Sequence, residues 1–475
     1  MLLYSDISFW LVFVVFLAIY AFIRRYSRVG MLVYVIAFSL LFYYLASGWL
    51  VLLLLAVAFV AWWVGRVMAP VGGSLVRSPL YKLTLGMTIL VLLLPLLYFK
   101  YSNLFIASLN TLFTSNFRLR DLVVPVGISF FTFQAISYVV DVYRGKFTMR
   151  VSLLEFLFYL SFFPLLLAGP ITRAGTLLPQ IRRPRQVTER GLYMGLWLVV
   201  IGLLKKCVIA DYIAQYNDWI FADPMMYSGL ECLMGILGYA VQIYCDFSGY
   251  SDISIGIAAM MGFGLLENFS FPYRAGNPTE FWHRWHISLS TWFRDYVYIP
   301  LGGSRCSRAR TYINLIITML VAGLWHGSTW MFVLWGAIHA IGLVAHKALR
   351  PWLERLPDTR WVRGVGVVLT FVFVALAWVF FRSESLSQST LLLSRVVTNF
   401  EWTHLVPFIA SRPWWCVLTL LPLLAQGIGS RGFIRWQTRF IVLPWFVKLL
   451  LILLAVQVIL QFQTSSVQPF IYYQF

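Results

Sequence analysis

The first apolar run of the chain reads Phe9-Trp-Leu-Val-Phe-Val-Val-Phe-Leu-Ala-Ile-Tyr-Ala-Phe-Ile23 and carries no charge. A run of this kind, near 20 residues with its flanks, is what a membrane-spanning helix requires, because only a helix satisfies its own backbone hydrogen bonds in lipid. Comparable runs recur along the whole sequence. They lie near 31–47, 48–64, 80–99, 122–140, 152–169, 190–210, 229–245, 251–266, 311–325, 329–345, 363–381, 413–428 and 440–461. The sequence therefore predicts an all-α polytopic membrane protein of about 11–14 spanning or re-entrant helices.

The composition supports the same class. Of the 475 residues, 60% are hydrophobic and only 12% are charged. Soluble domains carry about twice that share of charge, and disordered chains carry far less apolar surface. These values exclude a soluble globular enzyme, a disordered chain and a fibrous protein.

The net charge of +19 has a membrane interpretation rather than a nucleic-acid one. Lys and Arg collect in cytoplasmic loops, where they fix topology and meet anionic lipid headgroups. No basic soluble module interrupts the apolar runs, so we expect no nucleic-acid partner. Clusters that fit cytoplasmic loops are Arg24, Arg25 and Arg28, then Arg305, Arg308 and Arg310, then Lys347 and Arg350.

The cluster after the first run sets the predicted orientation. With Arg24 and Arg25 in the cytoplasm, the N-terminus lies outside. The residues before Phe9 form no basic n-region, and no small-residue cleavage site follows the run. We therefore expect the run to remain as a spanning helix rather than a cleaved signal peptide.

The segment 278–303 is the most polar and aromatic stretch between apolar runs. Wound as one helix from Thr279, it separates an aromatic face from a polar face, with His286 at the border. Glu280 and Arg284 fall at i,i+4, which suits an ion pair. Two compatible interpretations follow: a helix lying in the headgroup region, or a polar edge of His283, His286, Ser290 and Arg294 that lines an aqueous cavity.

The segment Gly323-Leu-Trp-His-Gly-Ser-Thr-Trp330 places His326 between two apolar runs. An ionisable residue at membrane depth is costly and indicates function, and a neutral imidazole there can act as a general base. The alternative is a core histidine bonded to a backbone carbonyl. For His339 and His346, on the next helix, we favour that structural interpretation.

A metal site has little support. His283 and His286 stand at i,i+3 without a carboxylate ligand set, and no two of the five cysteines stand at a metal-ligand spacing. We expect no metal and no bound cofactor.

Five blocks together resemble the membrane-bound O-acyltransferase family, most closely its alginate O-acetyltransferase branch. They are 244–256 (Tyr-Cys-Asp-Phe-Ser-Gly-Tyr-Ser-Asp-Ile-Ser-Ile-Gly), 267–269 (Glu-Asn-Phe), 280–296, 299–303 (Ile-Pro-Leu-Gly-Gly) and 324–327 (Leu-Trp-His-Gly). The resemblance covers about 90–350, whereas 351–475 is less diagnostic. It implies one integral-membrane domain over 1–475, with a helical ring around a central tunnel.

The resemblance also implies a site. His326 matches the family's catalytic histidine, and His286 matches the polar position often named as its partner. Candidates for donor binding or tunnel lining are Asp246, Ser290, Arg294, Arg305 and Arg308.

The implied function is transfer of acetyl groups from cytosolic acetyl-CoA across the membrane, for O-acetylation of an exported polysaccharide. The implied partners are membrane lipid, the polysaccharide acceptor, and an exported acetyltransferase or a polysaccharide-synthesis protein. Two alternatives remain open. One is transfer of D-alanyl or another acyl group to a cell-envelope polymer; the other is a transporter of a lipid-linked saccharide, which would place paired charges in several spans.

Overall fold

The computed structural model describes residues 4–69, 79–166, 169–183 and 186–462, and every regular element in them is a helix. In chain order the first helices are α1 (Ile7–Tyr26), α2 (Arg28–Ser47), α3 (Val51–Met68), α4 (Pro79–Leu96), α5 (Ser102–Phe113), α6 (Ile128–Tyr143), α7 (Leu153–Ser161), α8 (Phe163–Leu166) and α9 (Ala174–Arg182). Next come α10 (Glu189–Leu203), α11 (Asp211–Ala222), α12 (Gly229–Met260), α13 (Pro278–Arg284), α14 (Ile287–Phe293), α15 (Arg308–His326) and α16 (Trp330–Leu353). The last are α17 (Arg360–Arg382), α18 (Leu386–Thr398), α19 (Leu405–Ser411), α20 (Pro413–Ala425), α21 (Gly429–Val442) and α22 (Trp445–Phe462).

Shorter helical turns join several of these helices. Three are π-helical, Leu97–Tyr101, Leu204–Ala210 and Arg294–Tyr298. Four are 3₁₀ turns, Gly48–Leu50, Pro224–Met226, Pro272–Arg274 and Trp402–His404.

The all-α polytopic architecture predicted from the sequence is confirmed. Eight helical segments of the described residues are long and apolar enough to cross a membrane, or nine if a pair bent by 98°, Trp402–Ser411 and Pro413–Ala425, is one span. The eight are Ile7–Tyr26, Arg28–Met68, Pro79–Phe113, Glu189–Ala222, Gly229–Met260, Trp330–Leu353, Arg360–Arg382 and Trp445–Phe462. Other apolar runs form elements too short or too polar for that test, such as α6, α7 and α15. The central tunnel and the single-domain organisation remain predictions.

The chain divides into two compact units. The first comprises Met1–Leu196 and Ile253–Leu266. Its core includes an aromatic cluster in which the ring of Phe163 lies 5.0–6.4 Å from the rings of Phe13, Phe16, Phe38 and Phe42. Edge-to-face and tilted ring contacts of this kind fix α8 against α1 and α2.

The second unit comprises Trp197–Asp252 and Glu267–Phe475, and it contains all the candidate site residues. Its central feature is the antiparallel pair α15 and α16, joined by a three-residue turn. A Cβ atom on Gly323 would stand 2.3 Å from the carbonyl oxygen of Phe332, and one on Gly336 would stand 2.5 Å from that of Met319. Only glycine permits this close approach of two backbones, which brings the end of α15 against the first turns of α16.

The predicted single helix over 278–303 is wrong in one respect. The faces are as expected, with Phe281, Trp285 and Leu289 buried, and the Glu280–Arg284 ion pair forms at 2.8 Å. The helix, however, breaks between α13 and α14. Trp285 is extended there and His286 adopts a left-handed backbone with φ of +43°, a conformation that is uncommon for a residue other than glycine.

Asn268 provides the physical reason for the break. Its backbone carbonyl accepts the N–H of Ile287 at 2.8 Å, and its side-chain oxygen accepts the N–H of Ser288 at 3.2 Å. These two N–H groups open α14 and have no partner within the helix. A residue distant along the chain therefore caps a new helix where periodicity alone predicts continuation.

Candidate functional site

His326 is the last residue of α15, and only 2% of its surface is exposed. Its ring is surrounded by aromatic side chains. The ring centroids of Trp335, Trp325 and Phe381 lie 4.9, 5.0 and 5.4 Å from that of His326. The position at the end of α15, next to α16, follows from the close crossing of these two helices at their glycines.

His286 is completely buried at the break between α13 and α14. Its Nδ1 lies 3.1 Å from the side-chain oxygen of Asn268. That oxygen also accepts the hydroxyl of Ser288 at 2.8 Å, while the amide nitrogen of Asn268 donates to the hydroxyl of Ser251 at 3.0 Å. Since the Asn268 oxygen is the acceptor, Nδ1 of His286 carries the proton, and Nε2 is left with a lone pair.

The charge state of His286 follows from its surroundings. Burial lowers the pKa of His286 to about 3, so the ring is neutral near pH 7. Its Nε2 has no hydrogen-bond partner among the described residues. A neutral imidazole with a lone pair of this kind can accept a hydrogen bond from a substrate hydroxyl.

The indole of Trp325 connects the two histidines. Its ring centroid lies 5.9 Å from that of His286 and 5.0 Å from that of His326. Residues 40 positions apart in the sequence thus lie within 6 Å of one aromatic ring. Both lie in the second unit, in one site.

Asp246 lies in a buried ionic cluster. Its carboxylate pairs with Lys206 at 2.5 Å, and Lys206 also pairs with Asp211 at 2.8 Å. Next to them, Lys205 pairs with Asp252 at 2.7 Å. The pairs with Asp246 and Asp252 join α12 to the π-helical turn Leu204–Ala210, and the pair with Asp211 joins that turn to the start of α11. Sequence reasoning missed the cluster, although two lysines inside the apolar run 190–210 are a signal that buried carboxylates must lie nearby.

A cavity of about 970 Å³ lies among α13, α14, α15 and α16. Polar and charged residues on its wall include His283, Ser290, Arg294, His346, Lys347 and Arg350, together with the carboxylates Glu280 and Glu354. Among its apolar wall residues are Ala322, one helical turn before His326, and Trp282. The wall therefore carries both positive and negative side chains, and Ala322 belongs to the helix that ends at His326.

Two of the predicted donor-binding residues line this cavity. Arg294 is exposed and pairs with Asp295 at 2.8 Å, and the hydroxyl of Ser290 donates to the carbonyl of Trp285 at 3.1 Å. Arg305 and Arg308 are exposed and do not belong to the wall. The structure adds Lys347 and Arg350, which the sequence marked only as topology signals. Arg350 pairs with Glu354 at 2.7 Å, whereas Lys347 forms no ion pair with a described residue.

The two histidines considered for a metal are in different surroundings. His283 is exposed on the cavity wall, whereas His286 is fully buried. In the part of the chain that the structure describes, no three His, Cys, Asp or Glu side chains are grouped to hold a metal ion.

Comparison with known proteins identifies relatives across the whole chain. The sequence pattern of the membrane-bound O-acyltransferase family matches residues 148–387, a range that includes both histidines and the cavity. A probable alginate O-acetylase AlgI of Pseudomonas putida is 35% identical over 99% of this chain and 99% of the relative. A peptidoglycan O-acetyltransferase of Helicobacter pylori is 37% identical over 63% of this chain and 62% of the relative. A teichoic acid D-alanyltransferase of Bacillus subtilis is 28% identical over 56% of this chain and 70% of the relative.

The Asn268 contacts predict a measurable loss of stability. Asn268→Ala removes the cap of Ser288 and leaves Nδ1 of the buried His286 without its acceptor, which costs about 1–3 kcal/mol. We expect a lower thermal unfolding midpoint for the purified protein in detergent. Asn268→Asp keeps the oxygen acceptor, so its unfolding midpoint should fall less than that of Asn268→Ala. Asn399→Ala is the matched control, since Asn399 accepts the N–H of Gly229 through its backbone carbonyl. Equal midpoints for Asn268→Ala and Asn399→Ala would contradict the assignment.

Proposed function

Because the chain belongs to the membrane-bound O-acyltransferase family, we propose that it moves acetyl groups from cytosolic acetyl-CoA across the membrane for O-acetylation of an exported polysaccharide. The class of enzyme, an O-acyltransferase, is shared by the family and by its O-acetylating relatives. The donor, the acceptor and their sides of the membrane belong to the proposal. The observation that carries it is the pair of buried histidines on one indole, next to a cavity whose wall includes Arg294, Lys347 and Arg350.

In this proposal His326 is the general base. An acceptor hydroxyl attacks the carbonyl carbon of the thioester, and His326 accepts the hydroxyl proton as the new C–O bond forms. The C–S bond then breaks, and the proton passes from His326 to the departing thiolate of CoA. Nε2 of His286 accepts a hydrogen bond from the hydroxyl and orients it. The enclosing aromatic rings exclude water, which would otherwise hydrolyse the thioester.

The cavity supplies the donor site in this proposal. CoA carries phosphates at one end and the thioester at the other, so a cationic region followed by an apolar passage matches its polarity. Arg294 and Lys347 bind the phosphates, and the apolar wall at Ala322 and Trp282 accommodates the arm that carries the acetyl group. Arg305 and Arg308, which the sequence suggested, are not part of this donor site.

Sequence identity to the relatives favours acetyl transfer over D-alanyl transfer. The O-acetylases are 35–41% identical to this chain, whereas the two D-alanyltransferases are 28% and 30% identical. The roles proposed for His326 and His286 are the same for either acyl group.

Substitution of His326 tests the catalytic assignment. Loss of general-base assistance should lower the rate of acetyl transfer by about 10²–10⁴ in His326→Ala while the protein still inserts and folds. Transfer of radiolabelled acetyl from acetyl-CoA by the purified variant measures it. His404→Ala is the control, since His404 is exposed beside Glu401. A folded His326→Ala variant that transfers acetyl at nearly the wild-type rate would contradict the general-base role of His326.

Substitution of Lys347 tests the donor site. A charge-assisted hydrogen bond to phosphate contributes about 1.5 kcal/mol, so Lys347→Gln should raise the KM for acetyl-CoA about tenfold with little change in kcat. Arg308→Gln is the matched control, because Arg308 is exposed outside the cavity wall, and its KM should stay unchanged. Equal effects of the two substitutions would mean that the donor binds elsewhere.

We further propose that a second, exported protein completes the modification of the polymer. The longest connection between the numbered helices among the described residues, 261–277, is too short for a separate domain that could act on a bulky polymer. The docking surface would be the outer ends of the spans, near the turn between α15 and α16. In this arrangement the N-terminus lies in the periplasm of a bacterial inner-membrane protein.

Proteoliposomes with the protein oriented as in cells test this proposal. With acetyl-CoA inside and polymer outside, acetylation of the polymer should require an added exported acetyltransferase. The orientation is tested separately with a Ser27→Cys variant that lacks the native thiols. An impermeant thiol reagent outside the proteoliposomes should leave this variant unlabelled. Efficient acetylation of polymer alone would refute partner dependence, and labelling of Ser27→Cys would refute the orientation.

A further inference from the structure

His339 is a buried histidine that the proposed mechanism does not use. It lies on α16 and is fully buried. Five aromatic rings enclose it, with centroids 4.8–6.2 Å from its own, and we call them the aromatic cage. The cage consists of Phe281, Trp282, Trp335, Phe373 and Trp378.

The structural interpretation of His339 as a core histidine bonded to a carbonyl is not supported. Neither Nδ1 nor Nε2 has a hydrogen-bond partner among the described residues. In every protonation state an imidazole carries at least one N–H donor. A buried donor without a partner is destabilising, whereas a phenyl ring of similar shape at the same place is not. A histidine here therefore indicates a partner that the described residues do not provide.

The position of the cage shows where such a partner enters. Trp282 lies on the cavity wall, and its ring is 5.1 Å from that of His339. Trp335 lies between the two histidines, 4.8 Å from His339 and 4.9 Å from His326. One indole, that of Trp282, thus links His339 to the cavity wall, and another, that of Trp335, links it to His326.

The chemistry of the cage selects the kind of group. The rings around His339 carry no formal charge, and the indole N–H groups of Trp282 and Trp335 are buried donors without a partner among the described residues. Such surroundings disfavour a phosphate, whose desolvation needs cationic partners. They suit a small neutral hydrogen-bond acceptor attached to an apolar chain.

We propose that His339 is a substrate-binding residue that donates a hydrogen bond to the carbonyl oxygen of the acyl thioester and holds that carbonyl beside His326. This inference rests on the proposed function, in which the donor enters through the cavity. It adds an assignment for the carbonyl oxygen, which the resemblance to the family did not provide.

Two unreactive donor analogues isolate the interaction. Acetonyl-CoA is a ketone whose carbonyl lies one methylene further from sulfur than in the thioester, and S-propyl-CoA has the same chain length without that oxygen. Wild-type protein in detergent should bind acetonyl-CoA about tenfold more tightly than S-propyl-CoA, the usual effect of one buried hydrogen bond. Isothermal titration calorimetry measures both affinities without any turnover.

Substitution at His339 should remove the difference between the two analogues. His339→Phe keeps an aromatic ring in the cage, so the variant should bind both analogues with the wild-type affinity for S-propyl-CoA. Its unfolding midpoint should be unchanged or higher, because a buried donor without a protein partner is gone. His339→Gln restores a donor and should recover part of the preference. His404→Phe, at an exposed site, should keep the full preference for acetonyl-CoA over S-propyl-CoA.

The outcomes separate this inference from the function on which it rests. A folded His339→Phe variant that keeps the tenfold preference overturns the role of His339 and leaves the acyltransferase assignment intact. Loss of the preference in His326→Phe but not in His339→Phe would assign the oxygen to His326 and also overturn the proposal. Binding of neither analogue by wild-type protein would overturn the proposed donor and the inference with it.

Discussion

The close crossing of α15 and α16 is the constraint on which the site depends. Gly323 and Gly336 bring the two backbones so near that a methyl group on either would collide with a carbonyl oxygen of the opposite helix. Backbone atoms cannot move aside as a flexible side chain can, so the crossing point admits only glycine. Because the helices meet there, His326 at the end of one lies against Trp335 on the other. The same indole also contacts His339, one turn further along α16.

A second constraint is the helix break at His286. A continuous helix would satisfy the backbone of this segment locally, yet the chain places His286 in a left-handed conformation instead. Contacts with Asn268 offset the strain: they cap α14, hold the imidazole and select its tautomer. Strain retained at one residue and supported by a distant one is typical of functional sites. Here the result is a neutral ring nitrogen available beside Trp325.

The sequence predicts the elements that depend on periodicity and misses those that depend on distant contacts. The apolar runs at 31–47 and 48–64 correspond to α2 and α3, and the aromatic face of 278–303 is buried as its spacing indicates. His286 and His326, matched through the family resemblance, prove to share one indole. Neither the break at His286 nor the capping by Asn268 follows from periodicity, because both arise from bonds between separate segments. Likewise, Lys347 marks a loop in the sequence, and only packing places it on a cavity wall.

The charged side chains of the cavity wall and the buried histidines lie in different parts of the site. Cationic side chains lie on the cavity wall, the aromatic rings follow, and the histidines lie within those rings. An acyl donor with a charged end and an apolar reactive end fits this order.

The most direct test is a cryo-electron microscopy structure of the protein in lipid nanodiscs with acetonyl-CoA. The account predicts phosphate density at Lys347 and Arg294 and the ketone between His339 and His326. Density for the ketone outside the aromatic cage, or phosphates away from this cavity, would contradict it.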